Sequence, residues 1–354
     1  MKTRRFFSLF FLLVLMASLV LTPASAADEE SGVTPPELHC EAMLLVDANT
    51  GRMVYGKNEH EQMYPASLTK IMTALLVLEA VDSGQLSLDQ QITATESAME
   101  GLAADGSTAG IQAGEILTVE QLLQCMLIVS ANEACNILAE QVSGSVDAFV
   151  DAMNAKAEAL GCEGTHFVNA TGLHDSQHYT TAWDLYLITK EAMKHETFRT
   201  IVSSLNYTMP ATNMHPEERI VRSTNALISN WNIRGYLYQY ATGIKTGHTN
   251  ESGYCLSAAA TKEDRNLISV VMGCEREPGT TGSEGFTYFS ETIRLMDWGF
   301  NNFTRQTMLD DTKRDIPEVE VTLGKNTNYV TLEPQGEVTA LLPKDVSADS
   351  FKYD

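Results

Sequence analysis

Three short polar motifs occur in one order along the chain, each in a different structural setting. They are Ser67-Leu-Thr-Lys70, Ser130-Ala-Asn132 and Lys245-Thr-Gly247. The first opens an apolar helix, the second lies between two helical patterns, and the third lies on a predicted strand. Each pattern alone occurs by chance in chains of this length, whereas the shared order and setting make the combination specific.

The first motif supplies a candidate nucleophile, Ser67, and a candidate base, Lys70. The i to i+3 spacing places the amine on the same helix face as the hydroxyl, and a backbone N–H at the helix start can stabilise an oxyanion. A free lysine has a pKa of about 10.4 and is a poor base at neutral pH. Burial beside Leu68 and Ile71, with Lys245 as a second cation nearby, would lower that pKa. The alternative is a helix N-cap with an exposed lysine, which the apolar neighbours disfavour.

The second motif supplies a hydroxyl and an amide in a turn between two helices. Ser130 can relay a proton to a leaving amine, and Asn132 can hold the substrate backbone or fix Lys70. Taken alone, the motif is better explained by a Ser or Asn that caps the following helix.

The third motif suits the recognition of a carboxylate on a substrate. Lys245 and Thr246 can bind the anion, and Gly247 leaves room for a substrate backbone to pair along an exposed strand edge. The backbone N–H of His248 is the second candidate oxyanion donor, and its imidazole is assigned no role. The alternative is a strand that ends in a turn with a solvated lysine.

The N-terminal residues have the pattern of a processing signal. Lys2, Arg4 and Arg5 precede an apolar run, and Ala24-Ser-Ala26 is a typical cleavage site. We expect residues 1–26 to be a signal peptide of an exported protein that works at the extracellular or periplasmic face of the bacterial cytoplasmic membrane. An uncleaved anchor remains the alternative.

Residue composition and predicted secondary structure divide the remaining chain into a solvated leader, a large domain and a small β-rich module. We assign these to residues 27–37, 38–310 and 311–354, and whether the last module is complete is left open. Strands are predicted at 42–46, 52–55, 242–248, 253–259, 266–272, 319–323, 328–332 and 338–342. Helices are predicted at 67–81, 285–298 and through most of 118–195, with Thr118, Ser145 and Thr181 as caps.

Charge and cysteine content exclude several functional classes. The 24 basic and 46 acidic residues disfavour binding to nucleic acid or to anionic lipid. No metal-ligand spacing occurs, so we expect neither a metal site nor a cofactor. The six cysteines are widely spaced among apolar residues and are interpreted as buried thiols, with Cys255 and Cys274 as the first pair to test for a disulfide.

Four longer segments carry a family resemblance: Tyr64-Pro-Ala-Ser-Leu-Thr-Lys70, Phe167-Val-Asn-Ala-Thr-Gly-Leu173, His178-Tyr-Thr-Thr-Ala182 and Gly243-Ile-Lys-Thr-Gly-His-Thr249. Together with the three motifs they resemble the low-molecular-mass penicillin-binding proteins, and more closely the serine-type D-alanyl-D-alanine carboxypeptidases. The resemblance covers about residues 40–304. It implies an α+β class, β-lactamase/transpeptidase-like fold, an antiparallel sheet flanked by helices with a helical subdomain and the site between them.

The resemblance also implies the roles of the site residues. Ser67 is the acylated nucleophile with Lys70 as its base, while the remaining implied residues are Ser130, Asn132, Lys245, Thr246, Gly247 and His248. The expected substrate is a peptidoglycan stem pentapeptide ending in D-Ala-D-Ala, and β-lactams are expected to acylate the same serine.

Two other functions remain as alternatives. A β-lactamase-like hydrolase would need a deacylating glutamate, and no convincing Glu-x-x-x-Asn stretch separates the second and third motifs. A non-enzymatic penicillin sensor would normally carry transmembrane helices and a partner domain. The acidic segment 345–354 is not an amphipathic membrane helix, so membrane association is left open, as is the oligomeric state.

Overall fold

The computed structural model describes residues 33–103, 105–282, 284–309, 319–320, 329–330 and 336–351. The strands are β1 (Ala42–Asp47), β2 (Arg52–Lys57), β3 (Gln91–Thr93), β4 (Ile116–Thr118), β5 (Asn206–Met209), β6 (Arg219–Arg222), β7 (Ala241–Thr249), β8 (Gly253–Lys262), β9 (Arg265–Cys274), β10 (Phe303–Leu309), β11 (Val319–Glu320), β12 (Tyr329–Val330) and β13 (Val338–Pro343). The helices are α1 (Lys70–Asp82), α2 (Val119–Ile128), α3 (Asn132–Ser143), α4 (Val146–Ala159), α5 (Ala182–Ala192), α6 (Glu196–Val202) and α7 (Thr287–Asn302).

A five-stranded antiparallel sheet organises the molecule, in the order β2-β1-β9-β8-β7. The three predicted central segments are its long strands, because apolar residues fill both faces of β8 and β9 and each must be covered. Strand β7 lies at the edge, so one of its sides is open to a partner strand.

The two faces of the sheet are covered by different sets of helices. Helix α7 packs on one face through side chains such as Phe289 and Leu295. Helix α1 is buried along most of its length, contacts α3 and α5, and shares the core of the other face with the helical part of the chain. This is the predicted α+β, transpeptidase-like arrangement of a sheet flanked by helices beside a helical subdomain.

The helix starts in the helical part follow the predicted caps. The Thr118 hydroxyl accepts from the Gln121 N–H at 3.1 Å, and the Gln121 side chain accepts from the Thr118 N–H at 2.8 Å. Ser145 and Thr181 accept from the third residue of α4 and α5. The predicted helical block is interrupted between residues 160 and 181 by an irregular segment, and it extends further through α6.

The predicted pairing of Cys255 with Cys274 is wrong, and the expectation of six free thiols is wrong with it. Cys40 and Cys274 form a disulfide. Strand β1 pairs with β9 so that Ala42 lies opposite Met272, and the same register extended by two residues brings Cys40 beside Cys274. Cys255 lies on the adjacent strand but belongs to the core of the opposite sheet face, because successive strand residues alternate sides.

Short strands are present at all three C-terminal positions predicted to be extended. Strand β10 pairs with β13, and β11 pairs with β12. The predicted signal peptide at 1–26 and residues 27–32 of the predicted leader lie outside the described residues, as does the predicted boundary between residues 310 and 311. The domain assignment stays a prediction.

Within the described parts of the chain, no helix has the length and apolar character needed to cross a membrane. The same parts contain no group of three or more His, Cys, Asp or Glu side chains placed to hold a metal ion.

Candidate active site

The first motif lies in a short 3-10 turn, Ala66–Thr69, that leads directly into α1. The prediction of an α-helix starting at Ser67 is therefore wrong by one turn, since regular helix begins at Lys70. Ala66 has a positive φ of 47°, which is uncommon for a residue with a Cβ and marks a sharp change of chain direction. That change places Ser67 at the edge of the helical core.

Lys70 is fully buried and makes three hydrogen bonds through Nζ. It contacts Ser67 Oγ at 3.0 Å, Asn132 Oδ1 at 2.8 Å and the Thr171 carbonyl at 2.6 Å. The amide and backbone carbonyl oxygens can only accept hydrogen bonds. A neutral amine has two N–H bonds and one lone pair, so when both carbonyls are satisfied the lone pair faces Ser67 Oγ. This geometry is that of a base aimed at a hydroxyl.

Burial lowers the pKa of Lys70 because no water remains to solvate its ammonium, whereas Cys135 and Glu133 nearby raise it. Burial also lowers the pKa of Lys245 well below its ordinary value, and the positive charge of Lys70 adds to this shift. The sequence analysis expected Lys245 to lower the pKa of Lys70, whereas in the structure it is the pKa of Lys245 that the other lysine lowers. Both shifts favour the uncharged form of the amine.

The second motif lies in the predicted turn between α2 and α3. Ser130 has a φ of 68°, which ends the first helix, and Asn132 is the first residue of the second. The Asn132 N–H donates to the Ser107 carbonyl at 2.9 Å, so its side chain is left to bind Lys70. Ser130 Oγ is buried and has no hydrogen-bond partner among the residues that the structure describes. A buried hydroxyl without a partner is costly, and a substrate group can satisfy it.

The third motif lies on edge strand β7 and packs against the 3-10 turn that carries Ser67. A Cβ added at Gly247 would lie 3.1 Å from both the Ser67 nitrogen and the Pro65 carbonyl oxygen. Glycine is thus needed where the strand passes the candidate nucleophile.

Lys245 and Thr246 are buried beside this contact. Lys245 Nζ donates to the Thr246 carbonyl at 2.9 Å, and Thr246 Oγ1 lies 2.6 Å from Thr224 Oγ1. Among the residues that the structure describes, this carbonyl is the one hydrogen-bond acceptor for the donor positions of the Lys245 amine. An incoming carboxylate would supply the others.

His248 lies one residue further along the strand, and its imidazole is exposed. The ring stacks on its cross-strand neighbour Tyr254, with 4.1 Å between the ring centroids. The stacking fixes the position of the imidazole.

Thr171 is the site residue for which the sequence analysis assigned no function. Its segment, Phe167–Leu173, was singled out only through the family resemblance. Asn169 Oδ1 accepts from the N–H of Thr171 at 3.1 Å and of Gly172 at 2.7 Å, which holds the turn and directs the Thr171 carbonyl at Lys70. A backbone acceptor leaves no trace in residue type, so only the Asn and Gly of the turn could have indicated it.

A cavity of about 690 Å³ lies elsewhere, at the first residues of β7 and the ends of α5 and β8. Thr242, Lys190 and Arg199 are among its lining residues, and none of the predicted site residues lines it. The candidate site is therefore defined by the groups around Ser67.

Comparisons with known proteins identify relatives of the chain. The sequence profile of peptidase family S11, described as D-alanyl-D-alanine carboxypeptidase, matches residues 29–276. The D-alanyl-D-alanine carboxypeptidase DacF of Bacillus subtilis is 29% identical over 345 residues, which is 97% of this chain and 83% of the relative. DacA of Haemophilus influenzae is 33% identical over 303 residues, which is 85% of this chain and 71% of the relative.

The fold is similar to solved structures of the same kind. The crystal structure of penicillin binding protein 5 from Haemophilus influenzae has a TM-score of 0.74 and 31% identity, covering 89% of this chain and 85% of that one. By motif, fold and sequence similarity, the chain belongs to the D-alanyl-D-alanine carboxypeptidase family of serine peptidases.

Proposed function

We propose that in this serine-type D-alanyl-D-alanine carboxypeptidase Ser67 is the nucleophile and Lys70 the base that activates it. One observation carries the assignment: two carbonyl oxygens hold the buried Lys70 amine, and its third contact is Ser67 Oγ. The substrate we infer is a peptidoglycan stem peptide that ends in D-Ala-D-Ala, and β-lactams are the covalent inhibitors.

The proton can be followed through the acylation step. Ser67 Oγ attacks the carbonyl carbon of the penultimate D-alanine, and its proton passes to neutral Lys70. Collapse of the intermediate breaks the C–N bond, and the leaving nitrogen takes up one proton. Ser130 is suited to deliver it, because its buried hydroxyl has no partner among the described residues. The proton that Lys70 took from Ser67 replaces the one that Ser130 gives up, so both side chains return to their neutral forms. Water then attacks the ester carbonyl, its proton passes through Lys70 to Ser67 Oγ as the ester bond breaks, and the shortened peptide is released.

Lys245 and Thr246 bind the terminal carboxylate in this proposal. Burial holds the pKa of Lys245 low in the free protein, and a carboxylate in contact would raise it by stabilising the ammonium. Binding of the substrate therefore favours the ammonium form of Lys245. Such a site rejects peptides whose C-terminal charge has been removed, because the lysine then loses its partner.

The decisive experiment measures acylation and turnover together. The purified protein is incubated with a penicillin and mapped by mass spectrometry, and release of D-alanine from diacetyl-Lys-D-Ala-D-Ala is followed in parallel. We expect one acyl group on Ser67, loss of both activities in Ser67→Ala, and little turnover of the C-terminal amide. Labelling without D-alanine release would favour a penicillin sensor, and rapid hydrolysis of nitrocefin would favour a β-lactamase.

Members of this family act at the cell wall or in the periplasm, and we propose that this chain is exported by its first 26 residues. The support is the basic, apolar and small-residue pattern of that segment. N-terminal sequencing of protein from the cell envelope should give Ala27 as the first residue. A mature protein that begins at Met1 would contradict cleavage.

A further inference from the structure

The segment His178–Ala182 matched the family pattern, but no step of the proposed reaction uses it. In the structure His178 lies behind the nucleophile turn and is buried. Its Nδ1 accepts from the Val168 N–H at 3.1 Å, and its Nε2 lies 2.8 Å from Thr69 Oγ1. Since Nδ1 is an acceptor, the neutral ring carries its hydrogen on Nε2 and donates it to Thr69.

The Thr69 hydroxyl connects His178 to the backbone through two hydrogen bonds. It accepts from His178, and its own hydrogen is donated to the Ala66 carbonyl at 2.8 Å. A helical threonine often bonds a carbonyl three or four residues back. Here a second, buried partner fixes which way that hydroxyl points. Burial also lowers the pKa of His178 to about 4, so the donor ring stays neutral at working pH.

The Ala66 carbonyl and the Ser67 N–H belong to the same peptide group. Because a trans peptide is planar, fixing the direction of the C=O fixes the N–H on the opposite side. A Cβ at Gly247 would lie 3.1 Å from the Ser67 nitrogen, so this nitrogen is next to the strand that carries the third motif. A hydrogen bond to the C=O also polarises the N–H of the same peptide.

We propose that Thr69 and His178 are positioning residues that hold the Ala66–Ser67 peptide plane and so aim the Ser67 N–H at the oxyanion. The inference rests on the proposed role of Ser67. Loss of a whole oxyanion donor costs on the order of 100- to 1,000-fold in rate. Loss of its positioning should cost about 10- to 100-fold, mainly in kcat and in the acylation rate rather than in substrate binding.

Matched variants separate the hydrogen bond from the packing. Thr69→Val keeps the shape and removes the hydroxyl, whereas Thr69→Ser keeps the hydroxyl. In His178→Gln the amide nitrogen extends as far as Nε2 and can still donate to Thr69. In His178→Asn the shorter amide can replace only the Nδ1 acceptor. We expect Thr69→Val and His178→Asn to lose acylation rate, and Thr69→Ser and His178→Gln to recover most of it.

A thiono substrate tests whether the loss occurs at the oxyanion. Acylation is measured with an ester substrate and with its thionoester, whose sulfur is a weaker hydrogen-bond acceptor. The preference of the wild type for oxygen over sulfur should shrink in Thr69→Val and in His178→Asn. A general loss of structure would slow both substrates equally and leave the preference unchanged.

The outcomes separate this inference from the proposed function. Failure of a penicillin to acylate the wild type at Ser67 would contradict the proposed function itself. If the wild type is acylated and Thr69→Val reacts equally fast, or reacts slowly with an unchanged oxygen preference, the positioning role is wrong. If Thr69→Val does not fold, the His178→Asn and His178→Gln pair decides in the same way.

Discussion

Gly172 lies against the peptide that precedes the nucleophile, and replacing it by alanine should damage both catalysis and stability. A Cβ at this position would lie 1.8 Å from the Ala66 oxygen and 2.4 Å from the Ala66 carbon. Such contacts are not seen below 3.0 Å, so one backbone must move by about 1.2 Å. A displacement of about 1 Å at a reacting group can cost on the order of 100-fold in rate. We expect Gly172→Ala to lower penicillin acylation by about that factor.

Gly144→Ala is the matched control for this variant. Gly172 has a φ of +85° and Gly144 a φ of +82°, but a Cβ at Gly144 would meet nothing within 4 Å. Both variants therefore lose about 1–2 kcal/mol to left-handed strain. Overlap should cost Gly172→Ala about 1–3 kcal/mol more.

The assay combines stopped-flow acylation with urea unfolding of both variants. Gly144→Ala should acylate within about threefold of wild type, since its strain lies far along α3 from the site. If Gly172→Ala folded and acylated as fast as Gly144→Ala, the close packing of this turn on the nucleophile would have no part in catalysis.

Three further perturbations test separate parts of the structure. As pH increases, kcat/KM should rise with a midpoint below the ordinary lysine pKa, since burial lowers the pKa of Lys70. Asn132→Asp should move this midpoint to higher pH, because it places a negative charge beside the ammonium. An unchanged midpoint in the variant would mean that Lys70 is not the titrating group. The Cys40–Cys274 bond spans 234 residues, so the double alanine variant should unfold about 5 kcal/mol more easily, whereas equal urea midpoints would exclude the bond. The pKa of His178 is about 4 in the folded protein, against an ordinary value of 6.5. As the pH drops from 6.5 to 4, the unfolded chain is protonated at this histidine before the folded protein is, so the free energy of unfolding falls over that range. That contribution, about 3 kcal/mol, should be absent from His178→Asn in unfolding titrations, and identical pH slopes would contradict it.

The sequence predicted well those elements whose determining contacts lie within a few residues of one another. The caps at Thr118, Ser145 and Thr181 bind backbone N–H groups within three residues, so the chemistry is complete inside a short segment. The short hairpins β3–β4 and β5–β6 were not predicted. Their strands have only three or four residues, which is too short for an alternating pattern to stand out in the sequence.

The disulfide shows why the adjacency of two strands was not enough to predict which cysteines pair. Cys255 and Cys274 lie on adjacent strands, yet the side-chain alternation of a sheet sends them to opposite cores. Which cysteine meets Cys274 depends on the register of β1 against β9, and that register joins residues more than 200 positions apart.

The residue types of the site were determined by the sequence itself: a serine one helical turn from a lysine, a turn with a serine and an asparagine, and a lysine-threonine-glycine strand. Tertiary structure alone decided their environment. The Thr171 carbonyl that holds Lys70 and the His178 ring behind Thr69 come from the irregular segment between α4 and α5. Backbone acceptors and buried hydrogen-bond chains act through position rather than residue type, and position is established only when distant segments pack together.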